Sequence, residues 1–134
     1  MKELHAQLKR ATFKNYVKNN IVTDDAIIEI MDIISKCNFL VGEKLHSLVL
    51  SAACHKPFIS LEYRPKCLDF ASSVGFEEYN IRTDLLSFEI LVEKYMELMK
   101  NETAMTDILT SNVNYFRNKM ENFIDLVKRD IQQI

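Results

Sequence analysis

Two short runs hold most of the residue types that could do chemistry: Gly42-Glu43-Lys44-Leu45-His46 and Tyr63-Arg64-Pro65-Lys66. The first follows an apolar run and opens a helical pattern. Its glycine allows close backbone approach, its first-turn N–H groups are unsatisfied donors, and Lys44 adds a point charge. Such a junction is built to take an anion. His46 stands beside it with an ordinary imidazole pKa of about 6.5, able to give or take a proton near neutral pH. Tyr63, Arg64 and Lys66 repeat the theme with two cations and a phenol before a second helical pattern. Read from the residues alone, a solvated loop and a structural histidine remain open alternatives. There is no Gly-rich phosphate loop, carboxylate pair or Ser-His-Asp set.

The remaining histidines and the cysteines read as structural. His55 closes the same helical pattern as His46, roughly 13 Å away at about 1.5 Å per residue, so the two cannot share a metal. It reads as a C-terminal helix residue favoured by the dipole, and His5 as a solvated surface residue. Cys37, Cys54 and Cys67 are odd in number and never spaced C-x-x-C, which suits reduced, half-buried thiols of a cytosolic protein. Neither a metal nor a cofactor is expected.

The elements that must position the two runs come from periodicity and punctuation. Residues 3–18 read as a polar, basic-leaning helix, and Tyr16 to Val22 as a short strand. Thr23-Asp24-Asp25 caps a helix carrying Ile27, Ile28, Met31 and Ile34. Cys37 to Val41 suits a buried strand ended by Gly42. A helix from about Glu43 to His55 follows, its stripe formed by Leu45, Leu48, Val49, Ala52 and Ala53. Pro57 stops it, and Phe58-Ile59-Ser60-Leu61 reads as a second buried strand. Pro65 fits the first turn of a helix that Gly75 ends, and Tyr79-Asn80-Ile81 reads as a last strand. This alternation predicts an α/β fold, a small Rossmann-like parallel sheet flanked by helices, with a long helical C-terminal segment. The predicted division is an α/β half-domain over 1–83 carrying the anion site, and C-terminal helices over 84–134. Those helices break near Lys100-Asn101-Glu102. Beyond the break, Leu109, Val113, Phe116, Met120, Phe123 and Val127 form a heptad-like seam that packs on the domain, on a second copy or on an N-terminal partner domain.

Composition narrows the function classes. The chain has 134 residues, is 48% apolar and carries a net charge of −2, which suits one domain with a real core and no nucleic-acid partner held by overall charge. No apolar run reaches the ~18 residues needed to span a membrane, and the N-terminus has no signal-peptide core. The expected location is cytoplasmic.

Residues 41–79, from Val41 through Tyr79, with the strand-like SKCNFLVG leading into them, resemble the C-terminal half of the polysaccharide pyruvyl transferase family. That family shows an Arg-Leu-His tripeptide opening a helix, an alanine-rich helix body, a Pro-Phe strand and a Tyr-x-x-Lys turn. The matching positions here are Lys44-Leu45-His46, Ala52-Ala53, Pro57-Phe58 and Tyr63 through Lys66, and the match covers residues 23–82 best. The resemblance implies a two-domain, glycosyltransferase-like (GT-B) parent of which this chain is the C-terminal, donor-side domain. It implies transfer of a pyruvyl group from phosphoenolpyruvate to a sugar diol as a cyclic ketal. His46 is then the catalytic general acid, while Gly42, Lys44, Leu45, Tyr63, Arg64 and Lys66 bind substrate. Lys44 stands where the family's arginine is usual, and lysine lacks that residue's bidentate fork. Two other readings compete. One is the second domain of a sugar-nucleotide glycosyltransferase, and the other is a non-catalytic domain that associates through its C-terminal helices.

Overall fold

The computed structural model describes residues 24–133. The helix expected over 3–18, the strand over Tyr16–Val22, the Thr23 cap and His5 lie outside the described residues. Within them, helix α1 spans Asp24–Ser35, strand β1 Leu40–Gly42, helix α2 Leu45–Ala53, strand β2 Phe58–Glu62 and helix α3 Pro65–Ser73. Two 3-10 turns, Glu77–Tyr79 and Thr83–Leu85, bracket strand β3 at Asn80–Arg82. Helices α4, Phe88–Lys100, and α5, Glu102–Gln132, complete the chain.

The three strands pair in the order β1-β2-β3, all parallel, with Gly42 opposite Ser60 and Glu62 opposite Arg82. Parallel neighbours need crossovers, and α2 and α3 supply them. This is the predicted fold class: a small parallel sheet flanked by helices with a long C-terminal helix. Punctuation sets the boundaries. Pro65 opens α3 at a position where its missing N–H costs nothing. Gly75, at φ 83°, ends α3 by letting its own N–H and that of Phe76 reach back to Ser72 and Ala71.

The core lies between the sheet and its helices. Leu48, Phe58, Ile59, Cys67, Ala71, Phe76, Leu98 and Leu109 are fully buried. Phe58 stacks on Phe76 at 4.7 Å between ring centroids and on Phe70 at 6.0 Å, which ties β2 to α3 and the turn after it. Asn112 donates its side-chain amide to the Val74 carbonyl at 3.0 Å, docking α5 on the end of α3.

Three local expectations are corrected, and the α5 seam is found exposed. Val41 is 43% exposed, and among the described residues β1 pairs on one side only, with β2. Ile27 and Ile28 are exposed on α1, whose buried contribution is Ile34. α2 stops at Ala53, so His55 is not a helical residue. It adopts the left-handed φ of 55°, and its N–H and that of Lys56 close onto the Ala52 and Ser51 carbonyls at 2.9 Å each. His55 thus fills the position that Gly75 fills after α3. On α5, Leu109 is buried and Val113 half-buried, but every residue from Asn114 to Gln133 is exposed. The seam of Phe116, Met120, Phe123 and Val127 is therefore uncovered among the described residues.

Candidate functional site

The turns after β1 and β2 come out on adjacent strands at the same end of the sheet, where open α/β folds place ligands. Each turn enters a helix through a cationic residue in extended backbone. Lys44 is the N-cap of α2, at φ −89° and ψ 133°, and Arg64 is the N-cap of α3, at φ −150° and ψ 150°. Neither helix receives a side-chain cap, and neither carries an acid in its first turn. Helix N-termini favour anions and normally recruit Ser, Thr, Asp or Asn. Two positive helix ends with a cation at each N-cap are an unfavourable arrangement on their own, and an anion would offset it.

Tyr63 gathers the cations. The Lys44 ammonium lies 4.4 Å from the centre of its ring, the Arg64 guanidinium 5.7 Å and the Lys66 ammonium 6.0 Å. The negative face of the phenol offsets part of their mutual repulsion, at about 0.5–1 kcal/mol for an exposed pair. The ion pairs among the described residues are Lys36–Asp32, Arg82–Asp84 and Lys94–Glu97, so none of these three cations is neutralised there. The structure thus brings together Lys44, Tyr63, Arg64 and Lys66 from two turns that sequence reasoning could only place near one another.

The other expected residues do different work. Gly42 is buried, and a Cβ there would meet Ser47 Oγ at 2.5 Å, Leu40 Cδ2 at 2.8 Å and Leu48 Cδ2 at 3.0 Å. Its missing side chain makes room for the first turn of α2. Leu45 is half-buried and packs against the core, anchoring the same turn. His46 is exposed one residue further on, in the first turn of α2.

Sequence reasoning missed two supports. Cys67, fully buried, donates its thiol to the Glu43 carbonyl at 3.6 Å and so ties α3 to the turn holding Lys44. The Ser47 hydroxyl donates to the Lys44 carbonyl at 2.6 Å. Glu62 was also missed. It is the last residue of β2, half-buried, and its carboxylate accepts from the Asn80 side-chain amide at 2.7 Å. Its place directly before Tyr63 was the available signal. Of the thiols, burial pushes Cys54 up from the ordinary range, with Lys56 opposing weakly, while Cys37 is exposed. Among the described residues, no group of three His, Cys, Asp or Glu could hold a metal. No helix of the described residues is long and apolar enough to cross a membrane.

The family model described as polysaccharide pyruvyl transferase matches residues 3–65. The match takes in Gly42, Lys44, Leu45, His46, Tyr63 and Arg64 and stops one residue before Lys66. No curated protein and no solved structure matches the chain.

Proposed function

We propose, on the strength of the match of residues 3–65 to the polysaccharide pyruvyl transferase family model, that the cationic turns form the donor half of a pyruvyl transfer site. The family implies a pyruvyl transferase-type function in polysaccharide synthesis, with a sugar or polysaccharide as acceptor. The observation that carries the finer reading is the convergence of Lys44, Arg64 and Lys66 around the Tyr63 ring between two bare helix N-termini. Phosphoenolpyruvate presents a carboxylate and a phosphate on one small carbon frame, and it matches a compact cluster of cations with two sets of free N–H donors. Arg64 supplies the bidentate fork that Lys44 lacks.

His46 is the general acid in this reading. Its N–H bond breaks as a C–H bond forms at the methylene carbon of the enol, leaving an oxocarbenium-like centre for a sugar hydroxyl to attack. The first hydroxyl returns its proton to the His46 imidazole as its C–O bond forms. The cations hold the phosphate as it leaves with its bonding electrons, and the second hydroxyl of the diol closes the ketal as its proton passes to the departing phosphate. Proton transfer of this kind contributes about 10²–10⁴-fold to a rate.

Titration of isotopically labelled protein with phosphoenolpyruvate tests the reading. Amide shifts are expected at residues 42–47 and 63–66, saturating in the millimolar range or below. Arg64→Ala is expected to weaken binding about tenfold, equivalent to about 1.4 kcal/mol. His46→Ala should leave affinity within about twofold, because it removes a proton donor rather than a clamp. Shifts produced by a nucleotide sugar and not by phosphoenolpyruvate would hand the site to the glycosyltransferase reading.

A second reading rests on α5. Its exposed Phe116, Met120, Phe123 and Val127 are what a helix presents when another domain or chain covers it. Phe116→Glu is expected to dissociate any such assembly on size-exclusion chromatography. A monomeric wild-type protein with that face fast in hydrogen exchange would remove this reading.

A further inference from the structure

We propose that Glu62 receives a hydroxyl of the glycan acceptor on the β3 side of the anion site, an inference that rests on the pyruvyl transfer reading above. Glu62 stands at the carboxyl end of the central strand, one peptide from Tyr63. Its backbone carbonyl accepts the Thr83 hydroxyl at 3.0 Å and its Oε2 accepts the Asn80 amide at 2.7 Å. Main chain and side chain are therefore both held, and the other carboxylate oxygen keeps its acceptor capacity.

The charges around it are sorted rather than paired. Arg82 is the strand partner of Glu62, yet its guanidinium is taken by Asp84, with contacts of 3.1 and 2.7 Å. Lys44, Arg64 and Lys66 turn to the Tyr63 ring instead. Glu62 thus has no ion-pair partner among the described residues, although Lys44, Arg64, Lys66 and Arg82 all stand at the carboxyl ends of the strands, the end Glu62 occupies. A half-buried carboxylate in that state repels phosphate and carboxylate ligands. The neighbouring cations in turn repel an amine. The ligand that suits both is a neutral hydroxyl donor, and the site sorts its two substrates by charge, the anion to the cations and the hydroxyl to Glu62.

The test titrates labelled protein with methyl β-galactopyranoside, with and without saturating inorganic phosphate. Shifts are expected at the Glu62 and Thr83 amides and at the Asn80 side-chain amide. Glu62→Ala should weaken glycoside binding at least tenfold and change phosphate affinity less than threefold. Glu62→Gln, which keeps the shape and loses the charge, should act in the same direction and guards against a misfolded alanine variant. Absence of glycoside shifts at these three residues, while phosphate still perturbs Lys44, overturns the proposal and leaves the anion site standing. A variant that alters phosphate and glycoside binding equally also overturns it, since Glu62 would then act on the anion site. Glycoside shifts without any phosphate response would instead defeat the anion site alone.

Discussion

The start of α4 and the starts of α2 and α3 solve the same problem in opposite ways. At α4, Ser87 caps the helix by accepting from the Ile90 N–H at 3.2 Å, and Glu89 sits in the first turn. Every device there neutralises the positive helix end. At α2 and α3 the N-cap positions are Lys44 and Arg64, with no cap and no acid. Stability alone would select the α4 arrangement at all three ends. The exceptions stand side by side at the carboxyl end of the sheet, where a ligand anion could do what Ser87 and Glu89 do for α4. A local rule broken twice at one place is a mark of function.

The largest expected effect tests whether the α2 junction is built around its glycine. Gly42→Ala forces a Cβ against Ser47 Oγ, Leu40 and the fully buried Leu48. Overpacking of this kind costs about 1–3 kcal/mol. The urea midpoint should fall by the corresponding amount, and Lys44 should lose its place over Tyr63. An unchanged midpoint would mean that the junction repacks freely and that its geometry is not specified.

Much of this contrast was legible beforehand and some was not. Gly42, Pro57, Pro65 and Gly75 punctuate the chain so clearly that β1, α2, β2 and α3 fall close to where periodicity puts them. Apolar patterning does not report which face of a strand is covered, so Val41 read as buried although it is exposed. The cluster on Tyr63 joins Lys44 to a residue nineteen positions on, and the Cys67–Glu43 and Asn80–Glu62 contacts span 24 and 18 residues. Pairs at such distances leave no local pattern. His55 misled for another reason: a left-handed helix end normally announces itself with glycine, and here a histidine carries it.

Ser87→Ala removes the cap on the conventional side of the comparison. It should cost about 1 kcal/mol, within the ~0.5–2 kcal/mol seen for such caps, and leave phosphate binding unchanged. Thermal melts and a phosphate titration on the same sample check both halves. Loss of phosphate affinity would show that α4 belongs to the site and that the contrast is misplaced.

Lys44→Asp converts the α2 start to the α4 type. The gained cap and dipole complementarity, about 1 kcal/mol, are partly cancelled by the lost cation–π contact of about 0.5–1 kcal/mol. Stability should therefore stay level or rise slightly while phosphate binding disappears. A clear drop in melting temperature would mean that Lys44 holds the fold rather than a ligand.

The smallest effect is in pH. The backbone N–H at the helix start, and after it the Ser87 hydroxyl, hold the Glu89 carboxyl below the usual carboxylate range. A depressed folded value means stabilisation that is complete above the unfolded pKa of about 4.3 and is lost as pH falls through the lower folded value. Carboxyl-carbon shifts should titrate with a midpoint below the ordinary one, and Ser87→Ala should move it only part of the way back, because the backbone contribution is the larger. A full return to the ordinary value in that variant would put the hydroxyl first. A wild-type midpoint at or above the ordinary value would remove Glu89 from the account of α4, leaving Ser87 alone to distinguish its start from those of α2 and α3.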